Sequence, residues 1–176
     1  MTDARIDLIL SKIRPIRDFP KPGILFRDVT PLLADPRAFN AVLDLMAEQY
    51  DGVELDTIIG IESRGFIFGA ALASRMRKAF VPVRKPGKLP AATYQVQYEL
   101  EYGTDALEIH RDAIDRGERV LVVDDLIATG GTAWAAAELA QHHGGDVIGL
   151  CCLIELVALK GRERLAPLPV HALIQY

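Results

Sequence analysis

The chain has 176 residues, of which 50% are hydrophobic and 25% charged, the mix of a soluble globular protein long enough to bury a core without disulfides or metals. Its net charge of −4 offers no basic face for counterion release, which argues against a nucleic-acid partner. No apolar run approaches membrane-spanning length and no basic, apolar-cored leader opens the sequence, so a single cytoplasmic domain away from membranes is expected.

Apolar spacing at Ile6, Leu8–Leu10 and Ile13 predicts a short opening helix ended by Pro15. Asp35-Pro36 starts a second helix with Phe39, Val42, Leu43, Leu45 and Met46 on its buried face. Thr57–Ile61 reads as a short strand running into Glu62-Ser63-Arg64-Gly65, and a helix follows from Phe66 to about Arg77. Phe80–Val83 is another strand, leading into the basic turn Arg84–Pro90. Thr93–Ile109 alternates as a long hairpin with Tyr102-Gly103 near its turn. Arg119–Val123 is a five-residue strand, Thr132–His143 an Ala-rich helix, and Val147–Ile154 a strand behind Gly144-Gly145. Strands alternating with helices indicate an α/β domain whose core sheet is largely parallel. Ligands of such sheets sit at the carboxyl ends of the strands, so the loops after Ile61, Val83 and Val123 should converge. Cys151 and Cys152, adjacent in an apolar stretch, read as buried, reduced thiols.

The most informative stretch is Val120-Leu121-Val122-Val123-Asp124-Asp125-Leu126-Ile127-Ala128-Thr129-Gly130-Gly131-Thr132. An apolar strand ends in two acids, and a turn of small residues opens a helix. Free backbone N–H groups at a helix start, together with the helix dipole, favour an anion there. Gly130 and Gly131 allow close backbone approach to phosphate oxygens, and the Thr129 and Thr132 hydroxyls can donate. The Lys and earlier Gly of a nucleoside-triphosphate loop are missing, as is the G-x-G-x-x-G spacing of a dinucleotide fingerprint. Asp124 and Asp125 would repel a phosphate placed against them, so they should face something hydroxylated or cationic, and vicinal ribose hydroxyls fit. A lone Asp could simply cap the helix and a lone Gly pair simply turn the chain; the whole series favours the anion site.

Other segments have two readings each. Glu62-Ser63-Arg64-Gly65 leaves a strand where ligands collect, and Arg64 offers a planar fork of donors suited to a diphosphate; alone, it reads by default as a solvated strand-end Arg. Arg84, Lys85 and Lys88 crowd one turn, which suits either a polyanion or an ordinary exposed loop. Glu101-Tyr102-Gly103 is a plain hairpin tip by spacing. Phe26 and Leu156 would by default be core residues. His142-His143 suits a helix C-terminus, Trp134 reads as packing, and with only His110 and His171 remaining no zinc or Ser/His/Asp cluster stands out.

Val122-Val-Asp-Asp-Leu-Ile-Ala-Thr-Gly-Gly-Thr132 resembles the phosphoribosyl-pyrophosphate motif of the type I phosphoribosyltransferases, and its Ala-Thr-Gly-Gly-Thr ending is similar to the adenine-using branch. Phe19–Asp28, Gly60–Phe66, Arg84–Pro90, Glu101–Gly103 and Glu155-Leu156 through Leu159–Arg162 match in order, so the likeness covers nearly the whole chain. It implies a five-stranded parallel sheet flanked by helices, with a small hood from roughly residues 1–34 plus part of the C-terminal segment. The implied reaction is purine salvage: adenine and 5-phospho-α-D-ribose 1-diphosphate give AMP and diphosphate.

The resemblance places the phosphoribosyl group on Asp124, Asp125, Ala128, Thr129, Gly130, Gly131 and Thr132. Diphosphate is placed on Glu62, Ser63, Arg64 and Gly65, with Arg84, Lys85 and Lys88 reaching it in part from a partner subunit of a homodimer. Leu25, Phe26, Arg27 and Leu156 are placed around adenine, and Glu101 and Tyr102 on a lid that handles a proton and excludes water. A cis peptide between Glu62 and Ser63 is also implied. Mg²⁺ is the implied cofactor, held mainly by substrate and water because no carboxylate cage is visible. Rival readings are a hypoxanthine/guanine or xanthine transferase, a non-catalytic sensor of the activated ribose, and a nucleotide-binding module of another kind.

Overall fold

The computed structural model describes residues 3–99 and 103–176. The chain divides into two compact units, Met1–Leu45 and Met46–Tyr176.

The first unit opens with α1 (Ala4–Ser11), whose Asp3 side chain accepts a hydrogen bond from the Arg5 N–H. Next comes a hairpin absent from the sequence reading, β1 (Arg14–Arg17) against β2 (Leu25–Asp28), antiparallel with Arg14 opposite Asp28. Pro15 stands inside β1, a place open to proline because the strand has a free edge. The Arg14 guanidinium meets the Asp28 carboxylate at 2.5 Å, and Phe19 and Phe26 stack edge to face at 5.2 Å. A single turn, α2 (Thr30–Leu33), follows. α3 (Pro36–Glu48) runs across the division; the Asp35 carboxylate accepts from the N–H groups of Arg37 and Ala38 at its start. Val42, Leu43, Leu45 and Met46 are buried as the periodicity requires, while Phe39 is only half-buried.

The second unit holds a five-stranded parallel sheet. In chain order its strands are β3 (Thr57–Ile61), β4 (Ala79–Val83), β7 (Arg119–Ile127), β8 (Asp146–Glu155) and β9 (Val170–Gln175), and in space they run β4-β3-β7-β8-β9. β3 is buried at every residue, as expected of a parallel strand covered on both faces. α4 (Arg64–Met76) and α5 (Gly131–His142) pack on the sheet, and an antiparallel hairpin of β5 (Thr93–Glu99) and β6 (Thr104–His110) packs against α5. Val122, Leu139, Leu150, Cys152 and Leu107 belong to one buried cluster. Both cysteines are free and buried; burial pushes the Cys151 thiol up to about 12, so it stays protonated.

One sequence expectation needs correction here, and one unassigned segment gains structure. The strand expected to stop at Val123 continues to Ile127, because the ladder with β8 carries on through Asp124 opposite Cys152 and Leu126 opposite Ile154. Acids are poor strand formers on their own, and tertiary pairing overrides that preference. The segment after β8, left unassigned from sequence, forms a short 3₁₀ turn (Val157–Leu159), α6 (Gly161–Leu165) and the edge strand β9.

Candidate active site

Strands β3, β4 and β7 lie side by side and parallel, so the chain leaves all three at the same end of the sheet. Glu62, Ser63, Arg64, Lys85, Asp124, Asp125, Leu126 and Thr132 border one cavity there. A hollow lined by Asp124, Leu126 and residues 127–133 adjoins it. The parallel topology thus brings the three expected loops together.

The hollow lies at the start of α5, where Gly130 adopts a left-handed φ of 80° and no described side chain caps the helix. Uncapped N–H groups and the positive end of the dipole are what an anion requires. The two glycines have a second reason to be glycine. A Cβ on Gly130 would lie 2.5 Å from the Gly161 carbonyl oxygen, and one on Gly131 would lie 3.1 Å from both the Glu99 carbonyl oxygen and the Arg164 guanidinium. Neighbouring chain thus presses on the turn from behind, and that packing, invisible in spacing, fixes its shape.

The paired acids differ. Asp125 is 7% exposed and accepts a 2.5 Å hydrogen bond from Arg64 Nε. Asp124 is half-buried, and its Oδ1 accepts from the Asp125 N–H at 2.9 Å. Burial, and next the neighbouring Asp125 charge, raise the Asp124 carboxyl well above the usual carboxylate range. The site therefore holds one carboxylate already paired with a cation and one carboxyl poorly solvated as an anion.

In the loop after β3, the Glu62–Ser63 peptide is cis, as the resemblance implies. Ser63 and Arg64 border the cavity, with Gly65 in the first turn of α4 behind them. The Glu62 carboxylate turns toward the basic turn, accepting from Arg84 Nε at 3.2 Å and from the Lys85 N–H at 3.0 Å. Burial alone would raise its pKa, but these donors outweigh it and hold Glu62 below the usual carboxylate range. Arg84 also donates to the Lys88 carbonyl oxygen, Lys85 reaches the cavity, and Lys88 is exposed.

The C-terminal arm contributes a contact not anticipated from sequence. Glu155, 4% exposed, accepts from Arg162 Nε at 3.0 Å and Nη2 at 2.5 Å and from Gln175 Nε2 at 3.0 Å. Arg162, first among its causes, holds the Glu155 carboxyl below its usual range. Leu156 donates its N–H to the Ile127 carbonyl oxygen at 2.9 Å, tying the arm to the end of β7. Glu155 and Arg162 sit in a quoted sequence stretch, and their opposite charges seven residues apart were the available signal.

Leu25, Phe26 and Arg27 form most of β2 in the first unit, and Leu156 follows β8 in the second. Glu101 and Tyr102 lie outside the described residues.

A phosphoribosyl transferase domain model matches residues 28–168. The chain belongs to the phosphoribosyltransferase family. It is 61% identical over 154 residues to the adenine phosphoribosyltransferase of Sorangium cellulosum, covering 88% of this chain and 77% of that one. The crystal structure of adenine phosphoribosyltransferase from Thermoanaerobacter pseudethanolicus superposes with a TM-score of 0.95 at 51% identity, covering 97% and 99% of the two chains. The Saccharomyces cerevisiae adenine phosphoribosyltransferase, solved with an imino-altritol bisphosphate and adenine, gives 0.92 at 39% identity and the same coverage. The five-stranded sheet with flanking helices is the type I phosphoribosyltransferase fold expected from the motifs.

Proposed function

We infer that the protein transfers the 5-phosphoribosyl group of 5-phospho-α-D-ribose 1-diphosphate to adenine, forming AMP and diphosphate in purine salvage. The observation that carries this reading is the cavity shared by the small-residue turn, the two acids and the Arg64 loop; the identity to adenine phosphoribosyltransferases supports the choice of base.

In this reading the 5-phosphate takes the hollow at residues 128–132, where backbone N–H groups and the Thr129 and Thr132 hydroxyls meet it. A ribose extends from there toward Asp124 and Asp125, whose oxygens accept from its hydroxyls. Diphosphate lies beside Ser63, Arg64, Gly65 and Lys85, with Glu62 steadying Arg84 and Lys85 and with Lys88 adding charge at the rim. As the bond from C1 to diphosphate breaks, positive charge grows on C1 and the neighbouring Asp125 carboxylate stabilises it. Arg64 exchanges the Asp125 carboxylate for diphosphate oxygens, which frees Asp125 for the sugar. Among the described residues no group of three His, Cys, Asp or Glu side chains converges. The hard oxygens of Asp124 and Asp125 border the cavity and fit Mg²⁺ held mainly by substrate and water. When bound, Mg²⁺ supplies neutralisation of the leaving diphosphate.

Base contacts by Leu25, Phe26, Arg27 and Leu156, the lid roles of Glu101 and Tyr102, the homodimer and the cytoplasmic setting rest on the resemblance. No described helix is long and apolar enough to cross a membrane. The test is chromatographic: adenine, hypoxanthine, guanine and xanthine are each incubated with the activated ribose, Mg²⁺ and protein. AMP and diphosphate in equal amounts, with adenine strongly preferred, are expected. Comparable specificity constants for adenine and hypoxanthine would defeat the base assignment. A site built around the C6 amino donor rejects the oxo base by setting acceptor against acceptor.

A further inference from the structure

The Lys85 side chain is held by two residues to which the proposed reaction gives no role. Its ammonium forms a close ion pair with the Asp105 carboxylate and donates to the Tyr98 hydroxyl at 3.2 Å. The Tyr98 hydroxyl in turn donates to Asp105 Oδ2 at 3.3 Å. Tyr98 is 3% exposed, so this triangle has one corner fixed in the core.

The other end of Lys85 is fixed as well. Its N–H donates to Glu62, the preceding Arg84 exchanges both backbone hydrogen bonds with Glu108 of β6, and the Gly87 N–H donates to the Glu108 carboxylate at 3.0 Å. Burial alone would lower the Lys85 pKa, but Asp105 and then Tyr98 more than offset it and raise it; burial alone would raise Asp105, but Lys85 and then the Ala106 N–H outweigh it and lower it. Both partners stay charged. An ammonium has three N–H donors; two are taken, and Lys85 is one of the residues that border the cavity, with Arg64 and Thr132.

We propose that Asp105, seconded by Tyr98, is a positioning residue for diphosphate: it presets the Lys85 ammonium at the cavity beside Arg64. A free lysine loses rotamer entropy when it grips an anion, whereas a preset one has lost it during folding. The proposal rests on the diphosphate role given to Lys85 above, and the experiment separates the two.

Calorimetric titration with diphosphate and Mg²⁺ is run on the unmodified protein, Lys85→Ala, Asp105→Asn, Asp105→Glu and the Lys85→Ala/Asp105→Asn double variant. Melting temperature and AMP affinity serve as folding controls. Lys85→Ala should weaken diphosphate roughly tenfold or more, as loss of a charged hydrogen bond does. Asp105→Asn should weaken it roughly two- to fivefold, the range of a partly exposed ion pair, and Asp105→Glu should recover part of that loss. The double variant should match Lys85→Ala alone, because a residue acting through Lys85 has no effect without it. Full affinity in Asp105→Asn beside a weakened Lys85→Ala, or additive losses in the double variant, would overturn the positioning role. Unchanged affinity in Lys85→Ala would overturn the role of Lys85 itself and this proposal with it.

Discussion

Gly161→Ala tests whether the C-terminal arm shapes the turn at residues 128–132, the proposed phosphate site. A Cβ on Gly161 would stand 2.3 Å from the Ala128 carbonyl oxygen, 2.7 Å from Ile127 Cγ2 and 2.9 Å from the Gly130 nitrogen. Real Cβ atoms essentially never come closer than 3.0 Å to such atoms, so the arm and turn must part by at least ~0.7 Å, the shortfall from the nearest contact. Two of the three neighbours are backbone atoms of the turn and cannot rotate away. The arm is tied to β9 through Glu155, Arg162 and Gln175 and by Arg162 Nη1 donating to the Val170 carbonyl oxygen at 2.5 Å, so the turn takes a share of the movement. A misplacement near 1 Å can cost about a hundredfold in rate, and overpacking about 1–3 kcal/mol in stability. The expected result is a fall of roughly ten- to a hundredfold in kcat/KM for the activated ribose, or ~1.4–2.7 kcal/mol, with a smaller change in KM for adenine. Steady-state AMP formation with each substrate varied in turn measures it. Unaltered kinetics for the activated ribose, in a variant that melts like the parent, would refute the argument.

Asp124→Asn and Asp125→Asn should each slow turnover roughly ten- to a hundredfold, the cost of about 1.5–3 kcal/mol for a lost charged acceptor; near-parental kinetics in both would reduce these acids to structural residues. The Asp124 carboxyl is raised in the folded chain, so its stability contribution is full below the ordinary carboxylate range and is lost as pH rises through the higher folded value. Urea denaturation should therefore show Asp124→Asn gaining stability over the parent as pH climbs above the ordinary carboxylate range; a pH-independent difference would contradict the raised carboxyl. Arg64→Ala should weaken diphosphate binding and catalysis more than adenine binding, measured by calorimetry and initial rates, and equal losses would place diphosphate elsewhere.

Much of the site was legible because its parts are contiguous. Apolar residues at Thr57–Ile61 and Val120–Val123 marked strands, and parallel topology placed the loops behind them at one end. The limits of that reading are physical too. Asp124 and Asp125 hid four more residues of β7, since the partners that keep them in the ladder, Cys152 through Glu155, are distant in sequence. Gly130 looked like a glycine chosen for a ligand, while the Gly161 carbonyl at its back could be seen only in three dimensions. Asp105 sits in an alternating strand where nothing distinguishes it from a solvated acid, and its meaning depends on Lys85, twenty residues earlier. The hairpin of β1 and β2 was missed because its strands are four residues each with no fully buried position, which leaves little periodicity to read.

A crystal structure of the protein with AMP tests the central claim most directly. The account predicts the 5′-phosphate in the hollow at residues 128–132, its oxygens about 2.7–3.2 Å from backbone nitrogens at the start of α5, and the ribose hydroxyls on Asp124 and Asp125. A well-ordered AMP whose phosphate lies away from that turn, with the ribose out of reach of both acids, would contradict it.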